Sequence, residues 1–137
     1  MAATGTGHGL KPKRPLSPHI QIYTPLINMV MSIFHRITGA ALYFGTLLLA
    51  WWLIAAATGP AYFDYVNGIM GSWPGRIVLV GYTWALIHHM LGGVRHFIWD
   101  LGHGYDLKTI DMLSWGTLVL SVSITALIWI VALMQGV

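Results

Sequence analysis

Cysteine is absent from the 137 residues, and glutamate with it. Without thiols the chain holds neither a disulfide framework nor a thiolate-ligated iron–sulfur cluster. Any metal chemistry therefore rests on its seven histidines. Charge is scarce as well: charged residues make up 8% of the chain, against about 25% in soluble domains. A soluble fold so poor in charge would have trouble staying dissolved, so lipid is the better solvent. No basic stripe interleaved with aromatics lies on a polar face, which argues against a nucleic-acid partner. No Gly-rich phosphate loop follows a strand-like run, so neither a nucleotide nor a flavin fold is indicated. The formal charge of +3 comes from four aspartates facing seven lysines and arginines. It says little about partners.

What fills the chain instead is apolar. A hydrocarbon core of about 30 Å needs roughly 20 apolar residues in a helix, and three stretches meet that length. From Ile37 to Ala57 the sequence ITGAALYFGTLLLAWWLIAAA carries no charge, and the first span runs over about 27–57. The second covers about 76–101, around IVLVGYTWALIHHMLGGV, and the third, charge-free from Met112, covers about 111–136. The expected architecture is all-α: a segment 1–26 followed by a three-helix transmembrane domain over 27–137. Residues 59–75, rich in Gly, Pro and Asp, read as a loop with Trp73 as an interfacial anchor; 102–110 reads as a short polar turn. Lys11, Lys13, Arg14 and Lys108 sit on one side and Arg76 alone on the other, so the basic residues place the N-terminus in the cytoplasm. A cleaved signal peptide is not expected, because the apolar run is too long and the basic cluster is followed by a Pro-broken polar stretch. The N-terminal residues make no convincing transit peptide.

Polar side chains inside these spans are the features that ask for a function. On the first helix Ser32, His35 and Arg36 lie three and four residues apart and share one face. A charge inside the bilayer costs about 2.5–3.5 kcal/mol at its centre and less near the boundary. Arg36 is about two turns from the end, so snorkelling to the headgroups is the plain alternative to a binding site. On the second helix HHMLGGVRHFIWD (88–100) places His89 and His96 seven residues apart on nearly one face. Gly93 lies one turn from His89 and Gly92 close by. Glycine lets a neighbouring helix or a flat macrocycle approach, and a neutral imidazole beside such a groove suits axial ligation of haem iron. Arg95 and His96 then lie where haem propionates would be neutralised. Hydrogen bonding between helices is the plain reading of His88 and His89. Their side chains diverge by about 100°, so only one of them serves a given iron. His89 is roughly 16 Å from Asp100 along the helix, near mid-bilayer, and Arg36 and Arg95 lie nearer the boundary. A central haem with a quinone-sized polar site above it fits both depths. His103, Asp64, Asp106 and Asp111 read as solvated, and His8 belongs to the tail.

Three motifs in order, RPLSPHIQIY (14–23), SIFHRITG (32–39) and HMLGGVRHFIWD (89–100), resemble the cytochrome b membrane-anchor subunits of succinate dehydrogenase, respiratory complex II. The likeness runs from Arg14 through the second helix and includes the three-span layout. It implies that His89 is the axial ligand of one b-type haem, shared with a second hydrophobic anchor subunit that supplies the opposite ligand. It implies that Ser32 and Arg36 line the ubiquinone pocket, the hydroxyl bonding a quinone oxygen and the guanidinium stabilising charge that the ring gains on reduction. His35, Arg36 and Arg95 correspond to positions near the haem propionates, with His96 a further candidate. The partners implied are a flavoprotein subunit, an iron–sulfur subunit and the second anchor, in a bacterial inner membrane rather than a mitochondrial one. Succinate oxidation belongs to the flavoprotein, so this chain alone is not expected to catalyse it. Two other classes remain: a haem-free structural anchor, and a transporter subunit using its histidines as a proton relay. The second lacks a paired intramembrane carboxylate.

Overall fold

The computed structural model describes residues 15–136; Lys11, Lys13, Arg14 and His8 lie outside the described residues. Pro15, Pro18 and Pro25 keep the first described segment from forming a regular helix. It runs extended, apart from one 3-10 turn at His19–Ile22. Four helices follow: α1 at Ile27–Thr58, α2 at Pro60–Met70, α3 at Trp73–Asp100 and α4 at Leu107–Met134. No strand occurs among the described residues. Helices α1, α3 and α4 are long and apolar enough to cross a membrane. The 32 residues of α1 extend about 48 Å at 1.5 Å per residue, more than a hydrocarbon core requires.

The loop expected over 59–75 is largely helix. Gly59, at φ 141°, ends α1 in a conformation that L side chains rarely adopt, and Pro60 begins α2 at its first position. Proline there has no N–H to waste and a φ already suited to a helix, so the residue that reads as a breaker is a start signal. Only Gly71 and Ser72 separate α2 from α3. The Ser72 hydroxyl caps α3 by accepting from the Gly75 amide at 3.3 Å. A Cβ on Gly75 would strike the carbonyls of Ile69 and Met70, so the tight turn requires glycine. The second span thus begins at 73, earlier than the sequence suggested. The third begins at 107, because Asp106 caps α4 through its Oδ2, which accepts from the Thr109 amide at 2.9 Å. The carboxylate gains a structural role beyond solvation, and the polar turn shrinks to 101–106.

Polar side chains share the interior with Met31, Ala55, Val66, Ala85 and Ile87, while large apolar side chains cover the exterior. Thr38, His88, Arg95, Ser114, Thr117, Ser121 and Thr125 are buried, whereas Phe44, Leu47, Leu53, Leu127 and Ile130 are exposed. Small hydroxyl residues let helices approach closely where lipid removes any hydrophobic drive for helix association. On α4 Ser114, Thr117, Ser121 and Thr125 form one such seam. Thr117 and Thr125 donate to the carbonyls of Leu113 and Ser121, at 2.8 and 2.7 Å, which removes the cost of an unpaired hydroxyl in hydrocarbon. Three bonds cross from α3 to this helix. The His88 Nδ1 lies 3.2 Å from Ser121 Oγ, Arg95 Nη1 donates to Ser114 Oγ at 3.3 Å, and Trp129 Nε1 donates to Thr83 Oγ1 at 3.3 Å.

Candidate functional site

The crossing of α1 and α3 is built on two glycines and two histidines. His35 on α1 rests on Gly92 of α3, where a Cβ would collide with its ring. His89 on α3 rests on Gly39 of α1, where a Cβ would stand 2.9 Å from the imidazole Cε1. The two rings stack, 4.0 Å between centroids and 11° from parallel. Gly93, one residue beyond Gly92, faces open space: a Cβ there would meet nothing within 4 Å. The two adjacent glycines therefore differ: Gly92 closes the helix crossing, and Gly93, one turn from His89, faces open space.

The hydrogen bonding of His89 fixes its chemistry. Its Nδ1 lies 3.1 Å from the His35 carbonyl oxygen. A carbonyl only accepts, so Nδ1 carries the proton. The Thr38 hydroxyl, itself donating to the Phe34 and His35 carbonyls at 2.9 and 3.0 Å, presents its oxygen to the same nitrogen at 3.4 Å. The remaining nitrogen, Nε2, is left with its lone pair. This is the arrangement a metal-binding imidazole adopts, the far N–H held by a carbonyl that sets tautomer and ring orientation. His88 differs. It is 1% exposed, bonded to Ser121, and packed edge-on against Phe34 and tilted against Trp84, with centroids at 6.3 and 5.1 Å.

Nearer the N-terminal end of α1, Ser32, Arg36, Arg95 and His96 line one cavity of about 430 Å³ with Tyr23, Asn28, Met29, Ile33 and Trp99. Four of the residues singled out in the sequence thus share a wall. His35 stands behind it, its ring 5.3 Å from that of His96. Arg36 and His96 are exposed and Ser32 is half-buried. Arg95 is 3% exposed and its guanidinium carbon sits 5.2 Å from the Trp99 ring centre. Several buried polar atoms here have no partner: His35 Nε2, Arg95 Nε and Asn28 Oδ1. An unpaired polar atom in such surroundings costs about 1–3 kcal/mol, so the site is built to receive polar groups from outside the chain. Asn28 was missed in the sequence, although it precedes Ser32 by four residues and Arg36 by eight on the same face. Tyr23 gave no such signal, arriving from an extended segment without periodicity.

No group of three or more His, Cys, Asp or Glu side chains able to hold a metal occurs among the described residues.

Three apolar helices with polar side chains turned inward, crossing over a histidine–glycine contact, define an all-α multi-pass membrane protein. Residues 11–130 match the family described as succinate dehydrogenase/fumarate reductase transmembrane subunit, and the chain belongs to that family. It is 37% identical over 127 residues to the succinate dehydrogenase cytochrome b556 subunit of Rickettsia felis, covering 93% of this chain and 99% of that one. Identity to the cytochrome b556 subunit of Paracoccus denitrificans is 43% over 113 residues, 80% and 87% of the two chains. The mitochondrial cytochrome b560 subunit of Bos taurus is 34% identical over 111 residues, 80% of this chain and 66% of that one.

Proposed function

We propose that the chain is the membrane anchor of a bacterial succinate:ubiquinone oxidoreductase, binding one b-type haem and forming part of the ubiquinone-reduction site. The observation that carries this reading is the contact of His89 Nδ1 with the His35 carbonyl at 3.1 Å, which leaves Nε2 free one turn from Gly93, where a Cβ would meet nothing within 4 Å. Relatives named cytochrome b subunits support haem as the group. When bound, haem supplies one-electron chemistry at its iron. His89 would hold that iron through Nε2. His35 Nε2 and Arg95 Nε, buried and unpaired, meet the propionates, with Arg36 and His96 adding positive charge and donors at the same wall.

The cavity at Ser32 and Arg36 takes the quinone head group as substrate. Ser32 donates to a ring oxygen, and Arg36 holds a fixed positive charge where the ring becomes negative on reduction. Such donors, oriented in advance in a water-poor site, are worth more than in water. With no cysteine in the sequence, the electrons reach the site from elsewhere. They come from an iron–sulfur subunit fed by a flavoprotein subunit that oxidises succinate. A second hydrophobic anchor subunit would supply a further haem ligand and cover apolar helix surface. The N-terminus faces the cytoplasm.

Haem quantified in the complex purified from its host tests the assignment. The expected result is one b-type haem per copy of this chain together with succinate-driven ubiquinone reduction. A complex that reduces ubiquinone from succinate without haem would make the chain a structural anchor, and the haem assignment would fail.

A further inference from the structure

A second cavity, of about 440 Å³, opens at the other end of the bundle, where α2 closes against α1 and α3. It shares no residue with the site above. Its wall is apolar, made by Leu48, Leu49, Leu79, Tyr82 and Trp129, and two polar residues stand at its mouth, Asn67 and Arg76. The mouth lies at the membrane boundary, three residues from the exposed Trp73 at the start of α3. From Arg76 to Tyr82 the cavity descends about 9 Å along the helix axis.

The polar groups at the mouth are arranged as donors. Asn67 Oδ1 accepts from Trp52 Nε1 at 2.9 Å. An indole N–H can only donate, so this bond fixes the amide orientation and leaves the Asn67 NH2 for another acceptor. Arg76 Nε donates to the Gly71 carbonyl at 2.9 Å, which anchors the guanidinium while its terminal nitrogens remain for the cavity. Between Ile37 and Val94 the only other ionised residue is Asp64, which is exposed and not part of the lining. The cavity therefore combines a single cation and an amide donor at the interface with an apolar slot reaching into the hydrocarbon. That polarity matches an acidic phospholipid: phosphate at the mouth, one acyl chain in the slot.

We propose that this cavity is a binding site for an anionic phospholipid, its phosphate held by Arg76 and Asn67 and one acyl chain lying between Leu49, Leu79 and Trp129. The site is independent of the haem and quinone reading, since neither group enters it.

Native mass spectrometry of the complete complex, taken from nanodiscs of equal parts phosphatidylglycerol and phosphatidylcholine, tests the proposal. The wild type should retain phosphatidylglycerol in preference to phosphatidylcholine. Arg76→Gln should lower its retention about fivefold, as expected for one basic side chain near an anionic headgroup. Leu49→Trp, which fills the slot and keeps the cation, should displace both lipids. The full set of subunits should stay together in the mass spectra of both variants, which separates lipid loss from misassembly. Equal phosphatidylglycerol retention in all three proteins would overturn the proposal. So would ubiquinone, or a partner subunit's helix, found in the slot in place of phospholipid.

Discussion

The imidazoles of His35 and His89 lie face to face, 4.0 Å between centroids, each seated on a glycine of the opposite helix. The same backbone supplies the bond that holds His89 in one tautomer, from Nδ1 to the His35 carbonyl. Helix packing and ligand chemistry are thereby one structure: whatever separates α1 from α3 here also releases the imidazole.

Gly92 and Gly93 should therefore respond differently to substitution. Gly92→Ala forces the His35 ring out of its seat, at a cost of about 1–3 kcal/mol for overpacking, and should lower both the thermal stability and the haem content of the purified complex. At Gly93 an added Cβ meets nothing within 4 Å, and Gly93→Leu puts a larger side chain into that open space. It should leave helicity and dye-linked succinate oxidation intact while haem content falls. Undiminished haem in Gly93→Leu, measured as haem per protein, would place the macrocycle elsewhere.

That distinction marks where the sequence stopped being informative. The three spans were plain from length and lack of charge, and the i, i+3, i+4 spacing of Ser32, His35 and Arg36 put them on one face. The sequence also grouped Gly92 with Gly93 as one groove, because a helix periodicity does not say which neighbour fills which side. His35 read as a propionate neighbour; its stacking on His89 and its carbonyl's role depend on how α1 crosses α3. Pro60 read as a breaker because its position at the first residue of α2 is defined only by Gly59 before it. Arg95 lies five residues from the end of α3, yet its bond to Ser114 depends on α4, which the motifs did not cover.

The quinone wall makes a separable prediction. Arg36→Ala and Ser32→Ala should each reduce succinate:ubiquinone turnover, Arg36→Ala by about 10²-fold, the scale of losing one oriented charge-stabilising donor. Dye-linked succinate oxidation should remain near the wild-type rate. Parallel loss of both activities in steady-state assays would identify an assembly defect instead.

His88 belongs to the bundle. Its bond to Ser121 crosses from α3 to α4, and such bonds in membrane proteins average about 0.6 kcal/mol in double-mutant cycles. A cycle of His88→Ala and Ser121→Ala, read by reversible unfolding in detergent, should return a coupling of about that size. A coupling of zero would mean that the two side chains do not interact.

Asp106 gives the chain an acid-sensitive cap. Its hydrogen bonds with Thr109, from side chain and backbone, hold the carboxyl below its ordinary value of 3.8. A carboxylate with a depressed folded-state pKa contributes stability that is complete above the ordinary value and fades as pH falls through the lowered one. The protection factor of the Thr109 amide, its exchange corrected for the intrinsic pH dependence, should therefore hold steady from neutral pH to about pH 4 and fall below it. Asn caps a helix nearly as well and does not titrate, so Asp106→Asn should remove this acid step. An acid step of equal size in the variant would assign it to another group.

The most direct measurement is the dithionite-reduced optical spectrum of the purified complex carrying His89→Ala, set beside His88→Ala. The account predicts that the b-type bands vanish in the first and persist in the second, with the soluble subunits still attached in both. Bands kept by His89→Ala and lost by His88→Ala would contradict it.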